Sequence, residues 1–242
     1  PCDAIKDNAS RRTSIPTGRG PTAVAADSFM LGRVASANTL DSSITIVNVQ
    51  DNTVRGTFEV GSNPVDLDWS IVGFGGIRPC MVTNQGGLND PSGSVSLYLQ
   101  APPLSGGFLG AGQNRDGIES TFIDSVKNPT GVWGNQQWLN PFSGNSVPIV
   151  WYVANTGGRT VLDLRINIVG LFGVTVTPTA VQNKEVGPNP SFATLDPFYP
   201  NAFLFAAVSG TGSLAAMDPN RPVPPTNIFV GQLRRYASCF TH

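Results

Sequence analysis

The chain has 242 residues, of which 40% are hydrophobic, and this is enough for one domain with a buried core. Its 15 Lys and Arg residues are balanced by 16 Asp and Glu, which excludes the basic surface that nucleic-acid-binding proteins use. No run of about eighteen apolar residues occurs, which excludes a membrane-spanning helix. The 27 Gly and 20 Pro favour many short strands joined by turns.

The N-terminal segment is predicted to add one strand to the fold. Residues 10–18 read SRRTSIPTG and occupy the same place before Pro21 that GTFEVG occupies before Pro64. We expect this segment to be an outer strand that completes the last sheet, so that the two ends of the chain meet there. The C-terminal segment 226–233, TNIFVGQL, competes for the same place.

The stretch from 34 to 61 predicts three strands in a row. VASAN is a short apolar run, SITIVNV is rich in β-branched residues, and TVRGTFEV alternates apolar with polar residues. Gln50, Asp51 and Asn52 stand between the last two runs, and such residues favour tight turns. The pattern is typical of an antiparallel sheet.

A proline that begins a strand marks four places in the chain. The turns GRGP, GSNP, VKNP and GPNP place Pro21, Pro64, Pro129 and Pro190 before alternating segments. Proline at the first residue of a strand removes no hydrogen bond from the sheet. The interval from Pro21 to Pro64 has the length of a four-stranded propeller blade.

A second marker follows each proline. The apolar strands VASAN, CMVTN, WYVAN and FAAVS each end near a small polar residue, and each precedes a turn and another strand. Two markers recurring together indicate an internal repeat. The alternative is four unrelated strand pairs in a general all-β domain.

These residues resemble the YVTN-type β-propeller repeat. The resemblance is carried by YVAN (152–155) followed by TVLDL (160–164), and by SAN (36–38) followed by ITIVN (44–48). Residues 34–67 match the whole unit, and the other repeats match it in part. The resemblance extends from about residue 16 to about residue 233.

The resemblance implies an all-β fold, a single β-propeller domain over residues 1–242. We predict about four, possibly five, four-stranded antiparallel blades. Their approximate bounds are 19–61, 62–126, 127–187 and 188–235, with residues 1–18 as the closing strand.

Three cysteines bear on the closure of the ring. Cys2 and Cys239 stand at opposite ends of the chain, and ring closure would bring them within reach of a disulfide bond. Cys80 begins the CMVTN strand and is expected to be a small buried side chain. The alternative for Cys80 is a thiol that bonds another chain.

An acidic pair is the best candidate for a metal site. Asp66 and Asp68 lie two residues apart on a strand and so share a face, and Asp163 and Asp196 are candidates to join them at the axis of the ring. Such a cluster favours Ca²⁺, which binds oxygen ligands. The alternative is that these are solvated aspartates at strand ends. We predict no other cofactor.

A loop rich in Asn, Gln and aromatic residues is the second candidate site. Trp138 and Phe142 fall within GVWGNQQWLNPFSGN, where exposed rings favour stacking on a sugar or anchoring a partner protein. Trp133 precedes them in a predicted strand and is expected to pack in the core. The only histidine is His242, so no catalytic triad or histidine metal site is predicted.

The sequence thus predicts a noncatalytic protein that is structural or adhesive. Its expected partners are other copies of itself, in a surface layer or filament, or a surface protein or glycan. The alternative is a lactonase-type propeller hydrolase with a carboxylate-bound divalent metal in the central channel. Low charge, one Asn8-Ala9-Ser10 sequon and a first residue other than Met favour a secreted or cell-surface protein with a processed N-terminus.

Overall fold

We describe a computed structural model of the chain. It describes residues 13–27, 32–70, 78–87, 92–101, 115–122, 126–134, 148–167, 177–195, 203–219 and 224–229. Sixteen strands form four separate four-stranded antiparallel sheets in this part of the chain. The predicted all-β class and the four-stranded blades are therefore confirmed.

Each sheet is one blade, and its four strands follow one another in chain order. Blade 1 contains β1 (Pro21–Ala26), β2 (Arg33–Asn38), β3 (Ser43–Asn48) and β4 (Thr53–Glu59). Blade 2 contains β5 (Pro64–Trp69), β6 (Arg78–Asn84), β7 (Ser94–Ala101) and β8 (Arg115–Phe122). Blade 3 contains β9 (Pro129–Gly134), β10 (Pro148–Asn155), β11 (Thr160–Asn167) and β12 (Thr177–Glu185). Blade 4 contains β13 (Pro190–Leu195), β14 (Leu204–Val208), β15 (Ser213–Met217) and β16 (Thr226–Phe229).

The residue before each repeat proline has a left-handed backbone. Gly20, Asn63, Asn128 and Asn189 have φ between 46° and 65°. Glycine and asparagine adopt this conformation at the least cost. The turn that enters each blade therefore requires the Gly-Pro or Asn-Pro pair seen in the sequence.

A buried asparagine at the end of the second strand stabilises three of the blades. The Nδ2 atoms of these asparagines donate across the turn to hydroxyl groups on the third strand: Asn38 to Ser43 and Thr45, Asn84 to Ser94 and Ser96, and Asn155 to Thr160. The donor–acceptor distances lie between 2.9 and 3.1 Å. This contact explains the asparagine that recurs in the sequence.

The hydrophobic core lies between the blades. Three clusters fill the junctions between blades 1 and 2, 2 and 3, and 3 and 4. In the second, Trp151 and Leu162 of blade 3 pack against Met81 and Leu97 of blade 2. The sheets thus bury their faces on one another, and the first strands of the blades pack in succession, β1 on β5, β5 on β9 and β9 on β13.

Packing of one blade on the next runs from blade 1 to blade 4 in the described strands. Among the described strands, no comparable packing joins β13 of blade 4 to β1 of blade 1. The expected closing strand covers residues 10–18, of which 13–18 form no strand and the rest lie outside the described residues. The C-terminal segment instead supplies β16, the fourth strand of blade 4.

In the described part of the chain, no helix is long and apolar enough to cross a membrane.

The buried asparagine gives a prediction on stability. In Asn84→Ala, the Ser94 and Ser96 hydroxyls lose a donor inside the protein, so the free energy of unfolding should fall by about 1–3 kcal/mol. Denaturant unfolding measures this change. Asn183→Ala removes an exposed asparagine from β12 and is the control, with an expected change below about 0.5 kcal/mol. Equal effects of the two substitutions would contradict the role given to Asn84.

Candidate functional site

Asp66 and Asp68 join blade 2 to blade 3. Both lie on β5, and their Oδ2 atoms accept hydrogen bonds from the backbone of β9: Asp66 from Val132 N at 3.0 Å, and Asp68 from Gly134 N at 2.7 Å. Asp68 Oδ1 also accepts from Trp69 N at 2.9 Å. The two blades are separate sheets, so no backbone hydrogen bonds of a sheet join their strands. The two carboxyl groups instead supply the hydrogen bonds from one blade to the next.

Burial changes the acidity of this pair. It raises the pKa of Asp66 from 3.8 to about 6 and that of Asp68 from 3.8 to about 7, because a charged carboxylate is poorly solvated between the blades. The neighbouring Asp66 carboxylate adds to the effect on Asp68. The hydrogen bonds from the backbone oppose the shift without cancelling it.

The expected acidic cluster at the axis is not assembled in the described residues. Asp66 and Asp68 do share a face, as predicted, but that face meets blade 3. Asp163 lies on β11, the third strand of its blade, and forms an ion pair with Arg165 at 2.7 Å. Asp196 lies outside the described residues.

The carboxyl pair fits a structural role better than a Ca²⁺ site. Ca²⁺ takes about six to eight oxygen ligands, whereas each of these carboxyl groups already accepts backbone N–H groups. Among the residues that the structure describes, no three His, Cys, Asp or Glu side chains are grouped to hold a metal ion. The calcium site therefore stays a prediction that this geometry does not support.

The aromatic candidates divide into two groups. Trp138 and Phe142 lie outside the described residues, so their proposed role in binding stays a prediction. Trp133 is half-buried and stacks on Tyr152 with ring centroids 6.2 Å apart, against the cluster between blades 3 and 4. It is therefore part of the packing, as expected.

The structure describes one of the three cysteines, Cys80. Cys80 is a free, fully buried thiol in the cluster between blades 1 and 2, and burial raises its pKa well above the ordinary value. It packs as a small apolar side chain, and its burial removes it from contact with another chain. Cys2 and Cys239 lie outside the described residues, and their disulfide stays a prediction.

Three exposed apolar side chains on the two end blades are the feature that sequence reasoning missed. Val24 lies on β1 of blade 1, and Phe192 and Ile228 lie on β13 and β16 of blade 4. Val24 is 70% exposed, Phe192 40% and Ile228 49%. Alternation along each strand shows which side chains share a face, but it does not show which of them a neighbouring segment covers.

The acidic pair gives a prediction on pH. Between about pH 4 and pH 7 the unfolded chain releases protons that folded Asp66 and Asp68 retain, so the free energy of unfolding should fall as the pH rises. The unfolding temperature should therefore be higher at pH 5 than at pH 8. In Asp68→Asn the difference should shrink by several °C, since about 1 kcal/mol shifts a domain of this size by about 2–4 °C.

Asp51→Asn is the matched control for this experiment. Asp51 lies exposed in a turn, and its hydrogen bonds with Thr53 lower its pKa, so it stays ionised over the whole range from pH 5 to pH 8. Its substitution should leave the pH dependence unchanged. A pH profile that is the same in Asp68→Asn and the original chain would contradict the assignment.

No protein-family model matches the sequence, and no curated protein matches it. Solved structures do match. A functionally unknown protein from Desulfotomaculum acetoxidans has a TM-score of 0.59 and 18% identity, covering 88% of this chain and 56% of its own. A catalytically inactive virginiamycin B lyase from Staphylococcus aureus, with quinupristin, has a TM-score of 0.53 and 14% identity. The match covers 90% of this chain and 58% of the lyase. Sqt1 of Saccharomyces cerevisiae has a TM-score of 0.52 and 14% identity. The match covers 85% of this chain and 47% of Sqt1.

Identities this low show the fold and nothing further. The structural neighbours are β-propeller proteins, and this chain spans about half of their length. The four described sheets correspond to blades of that fold. The chain is thus an all-β protein built of β-propeller blades.

Proposed function

We propose that the chain is a noncatalytic, extracellular β-propeller protein of the YVTN-repeat type. It acts as a structural or adhesive subunit, associating with copies of itself or binding a surface protein or glycan. The observation that carries this proposal is that Val24 on blade 1, and Phe192 and Ile228 on blade 4, are exposed apolar side chains, while no packing comparable to the interior junctions joins these two blades among the described strands.

The repeat type is supported by the local structure. Asn38, Asn84 and Asn155 have the same place and the same kind of hydrogen bond in three successive blades, at the position of the asparagine in the YVTN strand. The secreted location is supported by the composition alone, with 13% charged residues.

The hydrolase alternative has less support. A lactonase-type centre would need carboxylates that converge in the central channel, whereas Asp66 and Asp68 are directed into the junction between blades 2 and 3. The lyase is 14% identical to this chain, so the likeness supports the fold and not the activity.

The exposed apolar side chains favour association among copies over a binding module for one ligand. An exposed apolar face at each end of a repeat array is covered by an end-capping repeat or by another array. Phe192 is 40% exposed and Ile228 49%, and exposed apolar surface of this kind marks an interaction site.

The test is the mass of the 242-residue chain in solution. Light scattering should give a mass that rises with concentration above the 25.5 kDa of one copy. Measuring with and without a reducing agent separates association from any link through Cys2 or Cys239. A mass of one copy at every concentration, in both conditions, would contradict self-association.

A further inference from the structure

Two threonine hydroxyls join blade 1 to blade 2. Thr39, one residue after Asn38, donates through Oγ1 to the carbonyl oxygen of Pro64 at 2.7 Å. Thr22, one residue after Pro21, places its Oγ1 2.7 Å from that of Thr39 and 3.2 Å from the same carbonyl. We call this set of two threonine hydroxyls and the proline carbonyl of the next blade a threonine clamp. It contains no group that ionises near neutral pH.

The junction between blades 3 and 4 repeats the threonine clamp at equivalent positions. Thr156 follows Asn155, and its Oγ1 donates to the carbonyl oxygen of Pro190 at 2.5 Å. Thr130 follows Pro129, and its Oγ1 lies 2.6 Å from that of Thr156 and 3.4 Å from the same carbonyl. The same neutral contact thus joins the blades within each of the two outer pairs.

The junction between blades 2 and 3 has no threonine clamp. Val65 and Gln85 stand at the two equivalent positions of blade 2, and valine has no hydroxyl to donate. The Oδ2 atoms of Asp66 and Asp68 instead accept backbone N–H groups of β9 at 3.0 and 2.7 Å. This junction therefore depends on titratable side chains, unlike the junctions on either side of it.

The surroundings of the acidic pair supply no compensating positive charge in the described strands. β9 carries no charged or titratable residue on the blade 3 side. On β6, Thr83 pairs with Asp66 and Met81 pairs with Asp68, so neither neighbour is charged. An ionised carboxylate in this junction thus has only backbone N–H groups and the second carboxyl group beside it.

The charged and titratable residues on the other side of β5 belong to the junction with blade 1. β1 has none, Asp27 follows it, and Arg33 begins β2. On β6, Arg78 begins the strand, and the Cys80 thiol lies in the cluster between blades 1 and 2. Among these described groups, no cation contributes to the pKa of either carboxyl group of the acidic pair.

Proton linkage gives the direction of the pH effect on this junction. Burial raises the pKa of Asp66 to about 6 and that of Asp68 to about 7, and both carboxyl groups return toward 3.8 when water reaches them. Between about pH 4 and pH 7 the separated blades therefore release protons that the joined blades retain. The equilibrium shifts toward separation as the pH rises.

We infer that the junction between blades 2 and 3 is a pH-sensitive hinge, at which β9 parts from β5 as the pH rises through neutrality. The threonine clamps hold blade 1 on blade 2 and blade 3 on blade 4, so the chain opens as two intact pairs. The backbone hydrogen bond from Asn128 N to Ser92 O, at 2.7 Å, keeps the two pairs connected at the turn that enters blade 3. This opening does not depend on the proposed self-association.

Hydrogen exchange of single amides, followed by NMR on the 242-residue chain, tests this inference. The N–H groups of Val132 and Gly134 donate across the junction, whereas alternation along β9 directs those of Gly131 and Trp133 to β10 in the same blade. Between pH 5 and pH 8, after correction for the intrinsic exchange rate, the protection of Val132 and Gly134 should fall at least about tenfold more than that of Gly131 and Trp133.

The indole N–H of Trp69 reports on the junction between blades 1 and 2 in the same spectra. Its Nε1 donates to the carbonyl oxygen of Ala25 at 3.2 Å. Its protection should change as little as that of Trp133, because no carboxyl group forms this contact. A loss at Trp69 equal to the loss at Val132 would overturn the hinge.

The double variant Asp66→Asn, Asp68→Asn provides the second arm of the test. Each asparagine keeps an amide oxygen that accepts the N–H group of β9 but does not titrate, so the difference between the two sets of amides should no longer change with pH. Asp51→Asn, in an exposed turn, should keep the full tenfold change. Circular dichroism checks that both variants remain folded.

The original chain decides the inference even where the double variant does not fold. Equal loss of protection at all four β9 amides would mean that the chain unfolds as a whole and has no hinge. Protection that is the same at pH 5 and pH 8 would also overturn the inference. Selective loss at Val132 and Gly134 supports it.

Discussion

The burial of sheet faces on neighbouring sheets is the interaction on which the rest of this structure depends. A four-stranded sheet has two faces, and each interior blade covers both of them with apolar side chains from the blades beside it. In the part of the chain that the structure describes, each buried cluster spans two blades, so the stability of a blade comes from its neighbours. Among the described strands, the same constraint is met on both sides only by blades 2 and 3.

The junctions achieve this packing with different chemistry. The first relies on aromatic rings, with Tyr98 lying between Phe58 and Trp69 at centroid distances of 5.1 and 5.9 Å. The second places two buried carboxyl groups against backbone N–H groups of the next blade. The third returns to stacked rings, Trp133 on Tyr152. The strength of the acidic junction depends on pH. Burial disfavours the charged form of the two carboxyl groups, whereas the backbone hydrogen bonds favour it.

Much of the fold was predictable because its signals are local. The three strands expected between 34 and 61 agree with β2, β3 and β4, and the repeat prolines begin strands because their turns need a left-handed Gly or Asn. The site was less predictable. Alternation shows that Asp66 and Asp68 share a face of β5, but whether that face meets a channel or a neighbouring blade depends on packing between segments far apart in the chain. The exposure of Val24 and Phe192 likewise depends on packing between distant segments, which no local pattern encodes.

The central claim is the proposed self-association of the chain as a structural or adhesive subunit. Single-particle imaging of the 242-residue chain at a concentration that permits association tests this most directly. The account predicts particles in which two or more copies are in contact. Particles of one copy at every concentration would contradict it.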